Sequence, residues 1–163
     1  MAPDNRVLIA GGGPVGMISG FYLARHGIPV TVFDSLPETT TDHRASTVHP
    51  STLEMLSELD MTDELREMGL VSAVFQFRDR YDDRVVAEFD YGIIADETPF
   101  PFALQVEQHK VINVARKHAE LLPDFKLMRP YEAVSLKQDN DGVELSVKNP
   151  DGEIETHTGR YLI

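Results

Sequence analysis

Short apolar runs and one helical segment occupy the beginning of the chain. Val7 to Ala10 is a continuous apolar run ending at glycine, which favours a strand buried on both faces of a parallel sheet. Pro14 to His26 is predicted to be a helix, because proline is tolerated in a first turn and Gly27 follows as a stop. Ile28 to Phe33 is a second apolar strand that ends at Asp34. The pattern predicts a strand–helix–strand unit.

A long polar loop and two short helices follow. The loop from Leu36 to Pro50 is longer than an ordinary connection in a compact domain, and loops of that length are usually functional. The first predicted helix, Ser51 to Leu59, has its initial serine and Glu54 at the spacing of a capping box. The second, Thr62 to Met68, is expected to use its threonine as N-cap and Gly69 as stop.

The rest of the chain alternates between apolar and polar positions and is mainly extended. We predict ribbon strands over 74–78 and 84–89, a helix over 107–122, a strand over 125–128 and meander strands over 131–136, 143–148 and 154–158. Tyr161 to Ile163 begins a further apolar strand. The expected fold class is α/β: a Rossmann-like unit with a parallel sheet, an antiparallel ribbon and a three-stranded meander.

Charge and composition exclude several classes of function. Fifteen Lys and Arg against 27 Asp and Glu give a net charge of -12, which disfavours nucleic acid and membrane-surface partners. The chain has no cysteine, which excludes disulfide scaffolds and thiolate chemistry and is consistent with a cytoplasmic location. The six histidines, including His43 and His49, show no metal-ligand spacing, so no metal is expected. The uncharged run Val7 to Ala24 contains three consecutive glycines and a proline, which argues against a signal peptide or membrane span.

The central motif is Gly11-x-Gly13-x-x-Gly16. Its glycines would allow a tight turn, close approach of a pyrophosphate and close helix packing, respectively. The motif lies between a predicted strand and helix, and Asp34 follows Gly16 by 18 residues. We therefore predict a dinucleotide site in which Asp34 binds the adenosine ribose and disfavours the 2′-phosphate of NADP. The alternative is a solvated carboxylate at a strand end.

The glycine motif and the segment after Asp34 together resemble a known family. The run from Val7 to Asp34, with HRASTVHPSTLEMLSELDMTDELREMG after it, is similar to the N-terminal part of flavoprotein aromatic hydroxylases of the p-hydroxybenzoate hydroxylase and phenol hydroxylase type. The more specific part is Arg44-Ala45 followed by His49-Pro50-x-Thr52-Leu53-Glu54, and the resemblance covers essentially the whole chain. It implies an FAD-dependent monooxygenase that uses NAD(P)H and O2 on a small aromatic substrate.

The resemblance also implies roles for individual residues. Arg44 would lie beside the flavin and its pyrophosphate, although a loop arginine paired with acidic residues is the alternative. Gln105 would hold the flavin side of the cofactor and is favoured over Gln108. The backbone of Val134 would meet the adenine, although a strand valine is often core. The candidate cofactor-binding residues are Gly11, Gly13, Pro14, Val15, Gly16, Asp34, Ser35, Arg44, Ala45, Ser46, Gln105 and Val134. No catalytic residue is assigned.

The sequence departs from the family after its last residues. Family members continue from a strand like Tyr161-Leu162-Ile163 into a glycine-aspartate-glycine motif, a substrate-binding sheet and a second flavin motif. We therefore expect residues 1–163 to be the N-terminal portion of an FAD-binding domain that does not hydroxylate alone. Two alternatives stay open: another flavoenzyme, namely an epoxidase, quinone-pathway hydroxylase or halogenase, or a non-enzymatic dinucleotide-binding module. Homodimer formation is also left open.

Overall fold

The computed structural model describes residues 5–42 and 44–163, so His43 of the polar loop lies outside the described residues. The chain divides into two compact units, the first formed by Met1–Asp42 with Val111–Ile163 and the second by His43–Lys110. The strands are β1 (Val7–Ala10), β2 (Val30–Phe33), β3 (Thr47–Val48), β4 (Leu70–Ser72), β5 (Val74–Arg78), β6 (Val85–Asp90), β7 (Ala103–Gln105), β8 (Phe125–Met128), β9 (Glu132–Gln138), β10 (Val143–Lys148), β11 (Ile154–Gly159) and β12 (Tyr161–Leu162). The helices are α1 (Pro14–Arg25), α2 (Pro50–Ser57), α3 (Thr62–Met68) and α4 (Gln108–Ala119), with a 3-10 turn at Tyr91–Ile94.

A four-stranded parallel sheet forms the centre of the first unit. Its order is β12-β1-β2-β8, and every residue of β2 is buried. Helix α1 lies close to this sheet, since a Cβ built on Gly20 would be 2.9 Å from Val32 Cγ2. The predicted strand–helix–strand unit, the strand over 125–128 and the final strand are thus confirmed.

The predicted meander is also confirmed, as an antiparallel sheet with the order β11-β10-β9. Strand β10 buries alternate residues, as its period-two pattern requires. These residues, Val143, Leu145 and Val147, form one buried cluster with Leu8 and Phe33 of the parallel sheet. The meander is therefore packed on the sheet through its central strand.

The described residues of the second unit include α2, α3, a small sheet and a ribbon. Leu53 and Leu56 of α2, Leu65 of α3 and Leu104 of β7 are fully buried. The predicted ribbon is confirmed as the antiparallel pair of β5 and β6. The small antiparallel sheet, of order β3-β7-β4, has no counterpart in the sequence analysis. Its strands have only two or three residues, too few to display a period of two.

The starts of α2 and α3 correct the sequence analysis. Helix α2 has His49 as N-cap and Pro50 in its first turn, with no side-chain cap, so the predicted capping box at Ser51 is wrong. Proline suits a first helical position because its missing N–H needs no partner there. Helix α3 has Met61 as N-cap, and Thr62 is a buried helical residue without a capping role. None of the helices within the described ranges has the length and apolarity needed to cross a membrane.

Candidate dinucleotide-binding site

Two glycines of the motif are required by the fold. Gly11 follows β1 and has a φ of 123°, a conformation that residues with a side chain rarely adopt. Gly16 is buried in α1, and a Cβ there would lie 1.9 Å from the carbonyl oxygen of Gly11. The turn after β1 and the close packing of α1 on that turn therefore both depend on glycine.

Gly13 is different, because the folded chain itself does not require a glycine there. Its φ of -71° suits any residue, and a Cβ built on it would meet nothing within 4 Å. Open space in front of its backbone is what a closely approaching pyrophosphate needs. This observation fits a dinucleotide at the position that the sequence predicts.

The N-terminus of α1 begins at this open space. Gly13 is the N-cap, no side chain caps the helix, and Pro14 occupies the first turn. The N–H groups of Val15 and Gly16 also lie in that turn, where a helix offers no internal acceptor. Val15 is 72% exposed, so solvent reaches this end of the helix. Free N–H groups and the positive end of the helix dipole suit an anion.

Asp34 lies immediately after β2 and is mostly buried. Its side chain is 12% exposed, and its Oδ2 lies 3.0 Å from Nη2 of Arg129. Its Oδ1 accepts a hydrogen bond from the Leu36 N–H at 2.9 Å. The alternative of a solvated strand-end carboxylate does not match this environment. Ser35, the next candidate, is exposed.

Arg129 follows β8 and has no role among the residues predicted from the sequence. Strands β2 and β8 are parallel, with Phe33 opposite Met128, so the residues after both strands meet at one edge of the sheet. The hydrogen bonds from Asp34 N to Met128 O at 3.0 Å and from Tyr131 N to Asp34 O at 2.7 Å continue this alignment. The signal that could have identified Arg129 is therefore its position directly after an apolar strand.

Val134 lies at an irregularity of the meander. Ser135 pairs with Ser146 and Ala133 with Val147, so Val134 has no partner in the register and forms a bulge. The side chain is 47% exposed, so the alternative of a core valine is wrong. Bulges interrupt pairing and redirect the chain, and they are frequent beside binding sites. The contact of Val134 with an adenine stays a prediction.

The remaining candidates belong to the second unit. Arg44, Ala45 and Ser46 are exposed and directly precede β3. The carbonyl of Ser46 accepts the N–H of Val106 at 2.7 Å, and the hydroxyl of Thr47 donates to Oε1 of Gln105 at 2.9 Å. The structure therefore brings Gln105 next to the segment that follows Arg44. Their contacts with a cofactor, and the preference for Gln105 over Gln108, stay predictions.

The Glu107 carboxyl of this unit has a shifted pKa. Nζ of Lys110 lies 2.6 Å from Oε2 of Glu107, and this hydrogen bond lowers the pKa of the Glu107 carboxyl. The same ammonium donates to the carbonyl of Met68, the last residue of α3, at 3.1 Å. The pair therefore supports a helix end. Within residues 5–42 and 44–163, no group of three or more His, Asp or Glu side chains is arranged to hold a metal ion.

Comparison with known proteins agrees with this geometry. Residues 4–163 match the model of a family described as the FAD binding domain. The chain is 26% identical to para-nitrophenol 4-monooxygenase of a Pseudomonas species over 146 residues, covering 90% of this chain and 36% of that protein. It is 28% identical to pentachlorophenol 4-monooxygenase of Sphingobium chlorophenolicum over 160 residues, covering 98% of this chain and 29% of that protein.

Solved structures show the same fold. The crystal structure of p-nitrophenol 4-monooxygenase PnpA from Pseudomonas putida superposes with a TM-score of 0.92 at 25% identity, covering 99% of this chain and 40% of that one. The flavin-dependent monooxygenase PieE, solved in complex with FAD and substrate, gives a TM-score of 0.85 at 25% identity, covering 99% of this chain and 30% of that one. This chain thus spans about a third of the length of the curated relatives. With the family model matched along almost the whole sequence, the chain belongs to the FAD binding domain family.

Proposed function

We propose that this chain is the FAD-binding part of a flavoprotein monooxygenase that hydroxylates a phenolic or other aromatic substrate with NAD(P)H and O2. The observation that carries the proposal is the open space at Gly13 beside the uncapped N-terminus of α1, in a chain that belongs to an FAD-binding family. The names of the relatives, a nitrophenol and a pentachlorophenol monooxygenase, support the reaction class.

The first unit would hold the adenosine diphosphate half of FAD. The pyrophosphate would accept hydrogen bonds from the N–H groups of Val15 and Gly16, with Gly13 allowing the approach. Asp34 would accept hydrogen bonds from the ribose hydroxyls, since a carboxylate is an acceptor only. The exposed bulge at Val134 would offer unpaired backbone to the adenine. Arg44, Ala45, Ser46 and Gln105 stay predicted cofactor contacts on the basis of the resemblance.

FAD would supply the chemistry of the reaction, namely electron transfer from the nicotinamide and activation of O2. The residues of this chain would bind and orient the cofactor and neutralise part of its phosphate charge. A whole-chain charge of -12 makes that local arrangement important, because a cofactor with two phosphates is otherwise repelled. A cytoplasmic location is part of the proposal, since a chain without cysteine suits a reducing compartment.

Titration with FAD is the first test of the proposal. We expect the purified chain to quench flavin fluorescence with saturable 1:1 stoichiometry, and NAD at the same concentrations to leave the bound flavin in place. Displacement of FAD by NAD would support the alternative of a nicotinamide-binding module. Absence of binding by either compound would contradict the proposed cofactor site.

The second test concerns the reaction class. The protein as its gene encodes it should consume NADH or NADPH and O2 in the presence of phenols, with a hydroxylated product detected by mass spectrometry. A matched reaction without the phenol controls for NAD(P)H oxidation that is not coupled to hydroxylation. FAD binding with product formation from alkenes, but not from any phenol or other aromatic ring, would favour an epoxidase.

A further inference from the structure

Arg129 and Asp34 form a buried ion pair whose role the glycine motif does not explain. The two side chains are 8% and 12% exposed, and Nη2 of Arg129 lies 3.0 Å from Oδ2 of Asp34. Burying two charges is costly unless their geometry is good and further hydrogen bonds satisfy them. A pair of this kind at the edge of a candidate site therefore calls for a specific function.

The guanidinium joins three separate segments of the first unit. In addition to Asp34, Nη2 of Arg129 donates to the carbonyl of Gly12 at 3.2 Å, and Nη1 donates to the hydroxyl of Thr39 at 3.0 Å. Arg129 thus connects the turn after β1, the end of β2 and the polar loop. Its planar fork of donors suits such a connection, whereas the single ammonium of a lysine cannot reach all three acceptors with the same geometry.

The pair also explains the middle glycine of the three consecutive glycines. A Cβ built on Gly12 would lie 2.4 Å from Oδ2 of Asp34 and 2.8 Å from Nη2 of Arg129. Any larger residue at this position would have to displace the ion pair. The turn, the open space and the helix packing described above explain the glycines at positions 11, 13 and 16. The space that the ion pair occupies explains the glycine at position 12.

The arrangement orients Asp34 without using all of its acceptor capacity. Oδ2 is held by Arg129 and Oδ1 by the Leu36 N–H at 2.9 Å. A carboxylate has about four lone-pair sites, so each oxygen can still accept a second hydrogen bond. Two ribose hydroxyls could therefore bind a carboxylate whose orientation is already set before the ligand arrives.

The cation changes the electrostatics of the site as well. A bare carboxylate near a pyrophosphate would repel it, and a buried one would be costly to keep ionised. With Arg129 at 3.0 Å, the pair is formally neutral while Asp34 still acts as an acceptor.

We propose that Arg129 is a positioning residue for ribose recognition: it orients the Asp34 carboxylate and neutralises its charge, so that the remaining acceptor site on each oxygen serves the adenosine ribose of a dinucleotide. This inference rests on the proposed function, since it assigns a role to Arg129 within the same FAD site. Its signature is selectivity for the ribose hydroxyls, and general stability alone would not produce that signature.

The experiment compares FAD with an analogue that lacks the adenosine 2′-hydroxyl, by fluorescence titration of the wild type and variants. Wild type should bind FAD about tenfold more tightly than the analogue, as expected for one hydrogen bond to a charged acceptor. Arg129→Met should lower this ratio toward one, and Arg129→Lys should restore part of it. Lys126→Met, which removes an exposed cation from β8, is the matched control and should keep the wild-type ratio.

The possible outcomes separate the inference from the proposed function. If wild type does not bind FAD, the proposed function fails and this inference fails with it. If wild type binds FAD with a ratio near one, FAD binding stands but the ribose role of the pair is overturned. If Arg129→Met binds both ligands more weakly with an unchanged ratio, Arg129 is only structural. If Arg129→Met does not fold, the ratio measured for Arg129→Lys decides, and a full wild-type ratio there overturns the proposal.

Discussion

Gly13→Ala should separate binding from folding at the candidate phosphate site. The φ of Gly13 is accessible to alanine, and the added methyl would meet no atom of the chain within 4 Å. The methyl would instead occupy the space in which the pyrophosphate is proposed to lie. We therefore expect loss of FAD affinity with little change in the stability of the chain.

The expected magnitudes follow from these contacts. Replacing glycine at a compatible φ stabilises a protein by about 0.4–1 kcal/mol, whereas alanine is a poorer N-cap than glycine by a similar amount. The two effects nearly cancel, so the free energy of unfolding should change by less than about 1 kcal/mol. A methyl forced against a bound ligand costs about 1–3 kcal/mol, which weakens FAD binding by roughly 5-fold to 150-fold.

Gly16→Ala is the contrasting variant. Its Cβ would lie 1.9 Å from the backbone oxygen of Gly11, which cannot move without displacing the turn after β1. Overpacking against rigid backbone should cost about 3 kcal/mol or more of unfolding free energy. In a chain of this size that loss lowers the Tm by roughly 6–12 °C.

Circular dichroism melting and flavin fluorescence titration measure the two effects separately. We expect Gly13→Ala to have a normal Tm and weak FAD binding, and Gly16→Ala to have a lowered Tm. Unchanged FAD affinity in folded Gly13→Ala would refute the phosphate assignment. If the Tm of Gly13→Ala fell as far as that of Gly16→Ala, the space in front of Gly13 would not be open.

Three further predictions follow from buried contacts and helix starts. Asp34→Ala leaves the Arg129 charge buried without its partner, so urea unfolding should show that the free energy of unfolding falls by about 3–5 kcal/mol. If Asp34 were an exposed carboxylate, the same substitution would leave the free energy of unfolding almost unchanged. Gly12→Ala should destabilise the chain by about 1–3 kcal/mol in the same assay, because the methyl collides with the ion pair; unchanged stability would contradict the pair's geometry. Ser51→Ala should change the Tm by no more than about 2 °C, since Ser51 does not cap α2, whereas a larger loss would restore the capping box.

Much of the fold could be predicted because its signals are local. The apolar runs of β1 and β2 flank a helix with proline at its start, and each segment alone carries its pattern. Alternation in β10 predicts its buried residues, Val143, Leu145 and Val147, without knowledge of what covers them. The glycine spacing and the later Asp34 likewise predict a dinucleotide site from positions along one unit.

The tertiary structure decided what depends on residues far apart in the chain. Asp34 and Arg129 are 95 positions apart, and only the parallel alignment of β2 with β8 brings them together. The space needed at Gly12 follows from that pair. Val134 is exposed because it lies in β9, an edge strand of the meander whose residues are all exposed. The helix and strand propensities of individual residues do not include such contacts, because the energy of these contacts arises only after distant segments have paired and excluded water.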